Sequence, residues 1–191
     1  MRTVLKLAPT IVVLTLVARA NDPCAAGLEL QLEPEEVTVH TGEELPVTMT
    51  LINTGDTTVR LAKPGDGSSL GSRTPVVGWS VIDARLKKKQ HPLYPQLPKD
   101  ARCGNINALT KDDLLELRPG QEIELRDWVY VPVLKHPGAY RVSFHYRNVP
   151  DFQWSGIPLG QHDPEAMEWI KNSTEVSLWS NEIIVTVREL K

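Results

Sequence analysis

The chain has 191 residues, of which 21 are Lys or Arg and 24 are Asp or Glu, so its net charge at pH 7 is −3. This acidic balance gives no reason to expect nucleic acid or an anionic membrane as a partner, since both require a concentrated basic face. The 15 prolines and 12 glycines between short apolar runs are typical of one domain that is long enough to bury a sizeable core.

The first 20 residues have the pattern of a secretory signal peptide. Basic residues precede an apolar run over residues 7–17, which contains Pro9 and closes on small residues at 18–20. The run is about a dozen residues long, whereas a membrane-spanning helix needs roughly 20 apolar residues. Cleavage removes three basic residues and no acidic one, which leaves a net charge of about −6. We therefore expect a mature protein of residues 21–191 that is secreted or periplasmic and has no membrane anchor.

The two cysteines, Cys24 and Cys103, both belong to the mature chain. An even number of cysteines in an exported protein permits a disulfide, which here would tie the N-terminus to a long internal loop. Two free thiols or a metal pair is the alternative, but no CxxC or clustered His and Cys spacing supports a metal site. The sequence therefore predicts a structural disulfide.

Alternation of apolar and polar residues with a period of two predicts about eight β-strands. In chain order they lie near residues 28–32, 37–39, 45–53, 59–61, 76–83, 123–131, 139–146 and 182–188. The Gly-containing turn at residues 53–56 predicts that the third and fourth strands form a hairpin. In the clearest strand, one face carries Tyr140, Val142, Phe144 and Tyr146.

Three long segments do not follow this alternation: residues 62–75, 86–113 and 148–180. Long connections in a compact domain are usually functional or locally structured. The segment at residues 148–180 is predicted to contain a short helix, because Asp163 is a good N-cap, Pro164 suits the first helical position, and residues 165–171 can follow. No βαβ alternation is present. We predict an all-β fold, an immunoglobulin-like antiparallel β-sandwich with long loop insertions and one short helix, in a single domain over residues 21–191.

Four segments taken in order resemble the bacterial intracellular proteinase inhibitor family. They are residues 53–61 (NTGDTTVRL), 79–83 (WSVID), 117–120 (LRPG) followed by Trp128, and 137–142 (PGAYRV). The match covers roughly residues 45–146, about half of the chain. The resemblance implies an immunoglobulin-like sandwich and, as an expectation, a peptidase-inhibitor function. This chain differs from that family in its export signal, in the insert at residues 86–113 and in the added segment at residues 148–180.

The residues near Gly138 support the same fold without the family. Gly138 permits a bend, and Tyr140 lies just inside the next strand. Its ring can be buried while its hydroxyl bonds back to the backbone of the preceding loop, as in a tyrosine corner. This motif marks a fold and indicates no ligand.

One segment matches an enzyme motif, because residues 67–71 read GxSxG with Ser69 at the nucleophile position. That chemistry needs a sharp turn between a strand and a helix, and the Pro-rich and Gly-rich flanks predict neither. We therefore predict a loop, no catalytic residue and no enzyme. His162 and several aspartates could bind a metal ion, but no calcium-loop spacing or HExxH motif is present. We expect no metal and no cofactor.

Aromatic side chains are concentrated in the late segment that is not predicted to form strands. Phe152, Trp154, Trp169 and Trp179 could form a platform for a sugar or a partner protein, because flat rings give a large contact area at a low entropic cost. Alternatively, they form a small core that pins the long loop to the sandwich. Trp79 and Trp128 lie in predicted strands and are interpreted as core.

The sequence thus predicts an exported, non-catalytic binding module that recognises a protein, in its most specific version as a peptidase inhibitor. A carbohydrate-binding module that uses the loop aromatics is the second hypothesis, and a structural domain is the third. A hydrolase through Ser69 is the enzymatic alternative.

Overall fold

The computed structural model describes residues 27–65, 67–86, 109, 111–125, 131–151, 153–154, 157–158 and 163–190. In the first half of this part the strands are β1 Leu28–Pro34, β2 Thr38–His40, β3 Val47–Asn53, β4 Val59–Ala62, β5 Val76–Asp83, β6 Leu114–Leu117 and β7 Glu122–Glu124. The second half contains β8 Gly138–Asn148, β9 Gln153–Trp154, β10 Ile157–Pro158, helix α1 Pro164–Lys171, β11 Val176–Trp179 and β12 Ile183–Arg188. Short 3-10 helices cover Ser68–Leu70 and Lys111–Asp113.

Two main sheets form the layers of the molecule. The first sheet has the order β1-β3-β7 and is antiparallel throughout. In the second sheet, β8 pairs with β5 on one side and with β11 and β12 on the other, and β2 follows β12 at the edge. Two-stranded ladders join β4 to β6 and β9 to β10. These observations confirm the predicted all-β sandwich, made of several antiparallel sheets and one helix.

The core lies between the two sheets and is built from alternate residues of their strands. On β1 and β3 the inward residues are Leu28, Leu30, Leu32, Val47, Met49 and Leu51, and on β8 they are Val142, Phe144 and Tyr146. All belong to one cluster of buried side chains. The predicted inward face of residues 139–146 is confirmed, and Trp79 of β5 packs on Phe144 with ring centroids 4.9 Å apart. Burial at every second position is what specifies the register of each strand.

The N-terminal part of the fold passes from one sheet to the other. β1 pairs with β3 in the first sheet, and after the short link at residues 35–37 β2 pairs with β12 in the second sheet. The β2 and β12 pair is parallel, with Val39 beside Val187. Because β1 and β2 together contact both layers, this edge of the sandwich is closed by one continuous stretch of chain.

A bulge separates β11 from β12, the two strands that pair with the same side of β8. β11 and β12 both run antiparallel to β8, and the three residues from Ser180 to Glu182 lie opposite only two residues of β8, Ser143 and Phe144. The Ser180 amide donates to the Phe144 carbonyl (2.8 Å), and the Phe144 amide donates to the Ser180 hydroxyl (2.9 Å). An extra residue in one strand is the mark of a β-bulge. Here it allows the Asn181 side chain to turn toward β1.

The predicted hairpin between residues 45–53 and 59–61 is wrong. β3 pairs with β7, while β4 pairs with β6, so the chain continues past residues 54–58 without reversing. Asn53 explains this, because its side chain is buried at the join. Its amide donates to the carbonyls of Thr57 and Leu117 (both 2.8 Å), and its carbonyl oxygen accepts from the Gly55 amide (3.0 Å). The side chain thus replaces the missing ladder partners, a role for which a buried amide is well suited.

Two local predictions are confirmed by hydrogen bonds. The Tyr140 hydroxyl donates to the carbonyl of His136 at 3.0 Å, which is the expected tyrosine corner. Asp163 caps α1, its carboxylate accepts from the amides of Glu165 (3.0 Å) and Ala166 (3.1 Å), and Pro164 opens the helix. Of the predicted strand at residues 123–131, β7 accounts for the beginning, and residues 126–130 lie outside the described part.

Several predictions concern residues outside the described part of the chain. The signal peptide at residues 1–20, the cysteines Cys24 and Cys103, and Trp128 all fall there. Within the described residues no helix is long and apolar enough to cross a membrane.

Candidate functional site

The four aromatics predicted to form a platform lie in different parts of the molecule. Phe152 is outside the described residues, and Trp154 belongs to β9, for which only the backbone is described. Trp169 is on α1 and Trp179 is on β11. Only Trp169 and Trp179 can therefore be compared as side chains.

Trp169 is half-buried and held against the β4 and β6 ladder. The Arg60 guanidinium of β4 lies over the indole, 5.0 Å from the ring centroid, which is within cation–π range. Arg60 also pairs with Glu116 of β6 (3.5 Å). On the same helix, Ile170 is buried with Ala62 and Leu109 in a second small cluster. These contacts support the alternative in which Trp169 pins the late segment to the sandwich.

Trp179 lies on the outward face of the second sheet and is 43% exposed. Its indole is stacked on the imidazole of His145, with centroids 4.5 Å apart and planes inclined by 28°. The two residues are direct cross-strand partners between β11 and β8. Trp179 contacts His145 of β8, whereas Trp169 contacts Arg60 of β4, so the described contacts do not join them in one platform.

His145 is fixed by a second contact on the same face. Its Nε2 is 3.0 Å from the hydroxyl of Ser177, which itself lies opposite Arg147. We call the four side chains Trp179, His145, Ser177 and Arg147 the aromatic block. Burial, with a smaller contribution from the charge of Arg147, lowers the pKa of His145 below its usual value near 6.5. The imidazole is therefore mainly neutral at pH 7, and the block consists of an uncharged ring pair, the Ser177 hydroxyl and the exposed Arg147.

The pair of His145 and Ser177 has the hydrogen bond of a nucleophile and base but lacks the other parts of such a site. A nucleophilic serine needs a base oriented by a third group and donors for an oxyanion. Among the described residues, no carboxylate is hydrogen-bonded to His145. Ser177 lies within a regular strand, and its contact with His145 is explained as a diagonal cross-strand contact.

The GxSxG segment folds as a short 3-10 helix rather than as a strand-turn-helix element. Gly67 and Gly71 flank Ser68–Leu70 with φ of 87° and 73°. Ser68 is buried, and its hydroxyl accepts from the Gly65 amide (2.9 Å). Ser69 is half-buried and, in the described part of the chain, has no hydrogen bond to a histidine. Nor do the described residues contain a group of three or more His, Cys, Asp or Glu side chains that could hold a metal ion.

Sequence reasoning named Trp179 but missed its partners His145, Ser177 and Arg147. The alternation over residues 139–147 does place His145 and Arg147 on the outward side of their strand. The alternation does not indicate that this strand pairs with residues 176–179, because that register depends on contacts between residues more than 25 positions apart in sequence.

No protein-family model matches the chain, and the search of curated proteins found none that is similar to it.

Proposed function

We propose that this chain is an exported, non-catalytic binding module that recognises a protein partner through the outward face of its second sheet. The observation that carries the proposal is the exposed Trp179 held in place by His145. An exposed apolar patch on a folded domain is more informative than a buried ring, and this face exposes both Trp179 and Ile184. Tryptophan and arginine are also the residue types most enriched among those that dominate protein interfaces.

Rigidity supports the same function. Stacking on His145 and the contact of His145 with Ser177 hold Trp179 in one orientation before any partner arrives. Binding by a side chain that is already ordered costs less conformational entropy than binding by a mobile one. Among protein partners, the expected export and the resemblance to the proteinase inhibitor family favour a peptidase.

The test uses the mature protein, residues 21–191, titrated against a panel of purified peptidases for inhibition and binding. We expect Trp179→Ala to weaken binding by at least about tenfold, since an interfacial tryptophan commonly contributes well over 1 kcal/mol. Val133→Ala is the matched control, because Val133 is also 43% exposed but lies in the loop before β8. Equal binding by both variants would reject the aromatic block as the recognition surface. Failure of the native protein to bind any peptidase would reject the inhibitor version.

A carbohydrate-binding module is the second candidate, favoured by the geometry of the same ring. One face of the Trp179 indole is covered by His145, and the exposed remainder can receive the apolar face of a sugar ring. Ser177 and Arg147 would then offer hydrogen bonds to its hydroxyls. A glycan array with the same two variants distinguishes the candidates, because glycan retention that depends on Trp179 favours this one.

A further inference from the structure

The outward face of the first sheet is acidic. The register of β1, β3 and β7 places eight side chains on it: Glu29, Gln31, Glu33, Thr48, Thr50, Ile52, Glu122 and Glu124. All four glutamates are exposed, and no Lys or Arg occupies any of these positions. Ile52 is half-buried in the middle strand, directly between Glu29 and Glu122. We call this surface the acidic face.

The outward face of the second sheet has the opposite character. Its accessible part around the aromatic block carries Arg141, Ile184, Thr186, Arg188 and His40 from β8, β12 and β2, whereas Ser80 and Ile82 of β5 are buried. Two of the acids that border it are already paired, Glu182 with Arg141 (3.6 Å) and Glu43 with His40 (3.4 Å). Arg147 and Arg188 are exposed, as are Trp179 and Ile184. We call this surface, which includes the aromatic block, the basic face.

We propose that the protein partner of the basic face is a second copy of this chain, which presents its acidic face. This inference rests on the proposed function and specifies its partner. The argument is charge complementarity within one molecule, since each face offers the sign that the other lacks. Complementary potentials favour encounter and orient the partners, and like charges on the same face repel other orientations.

The apolar positions of the two faces also match. Trp179 and Ile184 are the large apolar side chains exposed on the basic face, and Ile52 is the apolar position on the acidic face, flanked by glutamates. An apolar centre with a charged rim is the usual anatomy of a protein interface. Both surfaces are faces of β-sheets, which pack on one another about 10 Å apart.

The proposed contact joins two different surfaces, so it is heterologous. A heterologous contact does not close by a two-fold axis and instead allows each copy to bind one neighbour on each side. Association should therefore extend beyond dimers as protein concentration increases. It should also weaken as salt screens the charges on the two exposed faces.

The experiment is sedimentation velocity on the mature protein at about 20 mM and about 500 mM salt, where the screening length falls from roughly 20 Å to roughly 4 Å. We expect the mean mass to exceed twice that of the monomer at low salt and to return to the monomer at high salt. Two double variants test the faces: Arg147→Glu with Arg188→Glu, and Glu33→Lys with Glu124→Lys. All four positions are exposed, and circular dichroism checks that each variant is folded.

Each double variant alone should be monomeric, because it retains one intact face with no complement. An equimolar mixture of the two should form a complex, since the intact acidic face of the first variant meets the intact basic face of the second. The matched control, Lys135→Glu with Lys171→Glu, changes net charge by the same amount as the arginine double variant, at exposed positions on neither face, and should associate like the native protein.

The inference is overturned if the native protein is monomeric at low salt, if the control variant also loses association, or if the mixture does not form a complex. Loss of association with Trp179→Ala would support it. Binding to a peptidase that depends on Trp179, in a protein that does not self-associate, would overturn this inference and leave the proposed function intact.

Discussion

Two tyrosine hydroxyls of β8 show how the same chemical group contributes differently according to its surroundings. Tyr140 donates to a loop carbonyl near solvent, at His136. Tyr146 is fully buried, and its hydroxyl donates to the carbonyl of Ala62 (2.7 Å), with Asn148 Oδ1 3.3 Å from the same oxygen. Burial also raises the pKa of Tyr146 above its usual value near 10, so this phenol stays protonated and remains a donor.

We expect Tyr146→Phe to destabilise the fold by about 1–3 kcal/mol and Tyr140→Phe by about 0.5–1 kcal/mol. A lost hydrogen bond costs more when its acceptor is left buried than when water can replace the donor. Urea denaturation of the two variants measures both values under identical conditions. A loss for Tyr140→Phe equal to or greater than that for Tyr146→Phe would contradict this account.

Residue types that act locally were predictable from the sequence. Asp163 caps the helix that it was expected to cap, and Tyr140 forms the expected corner, because both interactions involve neighbours within four residues. Asn53 was misinterpreted as part of a hairpin turn. Its decisive bond, to Leu117, spans 64 residues, and turn chemistry alone carries no information about such a partner.

At the level of elements, the turn after β3 depends on the close approach of two glycines. The Gly27 carbonyl accepts from the amides of Thr54 (2.9 Å) and Gly55 (3.0 Å). Gly27 has φ of 95°, and a Cβ atom there would lie 2.8 Å from the Gly55 Cα, which is closer than real Cβ contacts occur. This approach holds the start of β1 against the turn that joins β3 to β4.

Gly27→Ala should therefore destabilise the protein by about 2–4 kcal/mol, since it adds a backbone clash to the cost of a left-handed conformation. Gly120→Ala is the matched control, because Gly120 has φ of 76° with nothing within 4 Å of its added Cβ. The control should cost about 1–2 kcal/mol from the backbone conformation alone. Thermal and urea unfolding of both variants give the comparison, and equal losses would show that the close approach contributes nothing.

Strands were predictable wherever burial imposes a period of two, as in β1, β3, β8 and β12. The partners of these strands were not, because a half-buried strand shows the same alternation whichever neighbour it has. The candidate site illustrates the result: Trp179 was identified and the strand of His145 was predicted, but the pairing of that strand with residues 176–179 was not. Trp169 belonged to the same predicted group, and its contact with Arg60 ties it to β4 instead.

In the molecule as a whole, Asn181 links the two layers at the edge formed by β1. From the bulge of the second sheet, its side chain accepts from the Leu32 amide (2.7 Å) and donates to the Leu32 carbonyl (2.9 Å). These two backbone groups belong to the outer strand of the first sheet. One amide side chain thus takes the place of a neighbouring strand, satisfying polar groups that an edge strand otherwise leaves free.

Asn181→Ala is expected to cost about 1–2 kcal/mol, because the Leu32 amide and carbonyl both lose a partner. Hydrogen exchange should show a local effect as well, with faster exchange of the Leu32 amide than in the native protein. Asn172→Ala serves as the control, since in the described part of the chain the exposed Asn172 side chain bonds only to the Glu168 carbonyl, within its own helix turn. Unchanged protection of Leu32 in Asn181→Ala would show that the two layers do not depend on this link.

The parallel pairing of β2 with β12 has a mechanical consequence. Tension applied between residues 37 and 188 would pull these two strands lengthwise in opposite directions, so it would load the hydrogen bonds of the pair in shear. Bonds loaded in shear share the force and must break together, whereas bonds at the end of a hairpin open one after another. The β2–β12 pairing would therefore make the sandwich resistant to stretching, even though only three residue pairs form it.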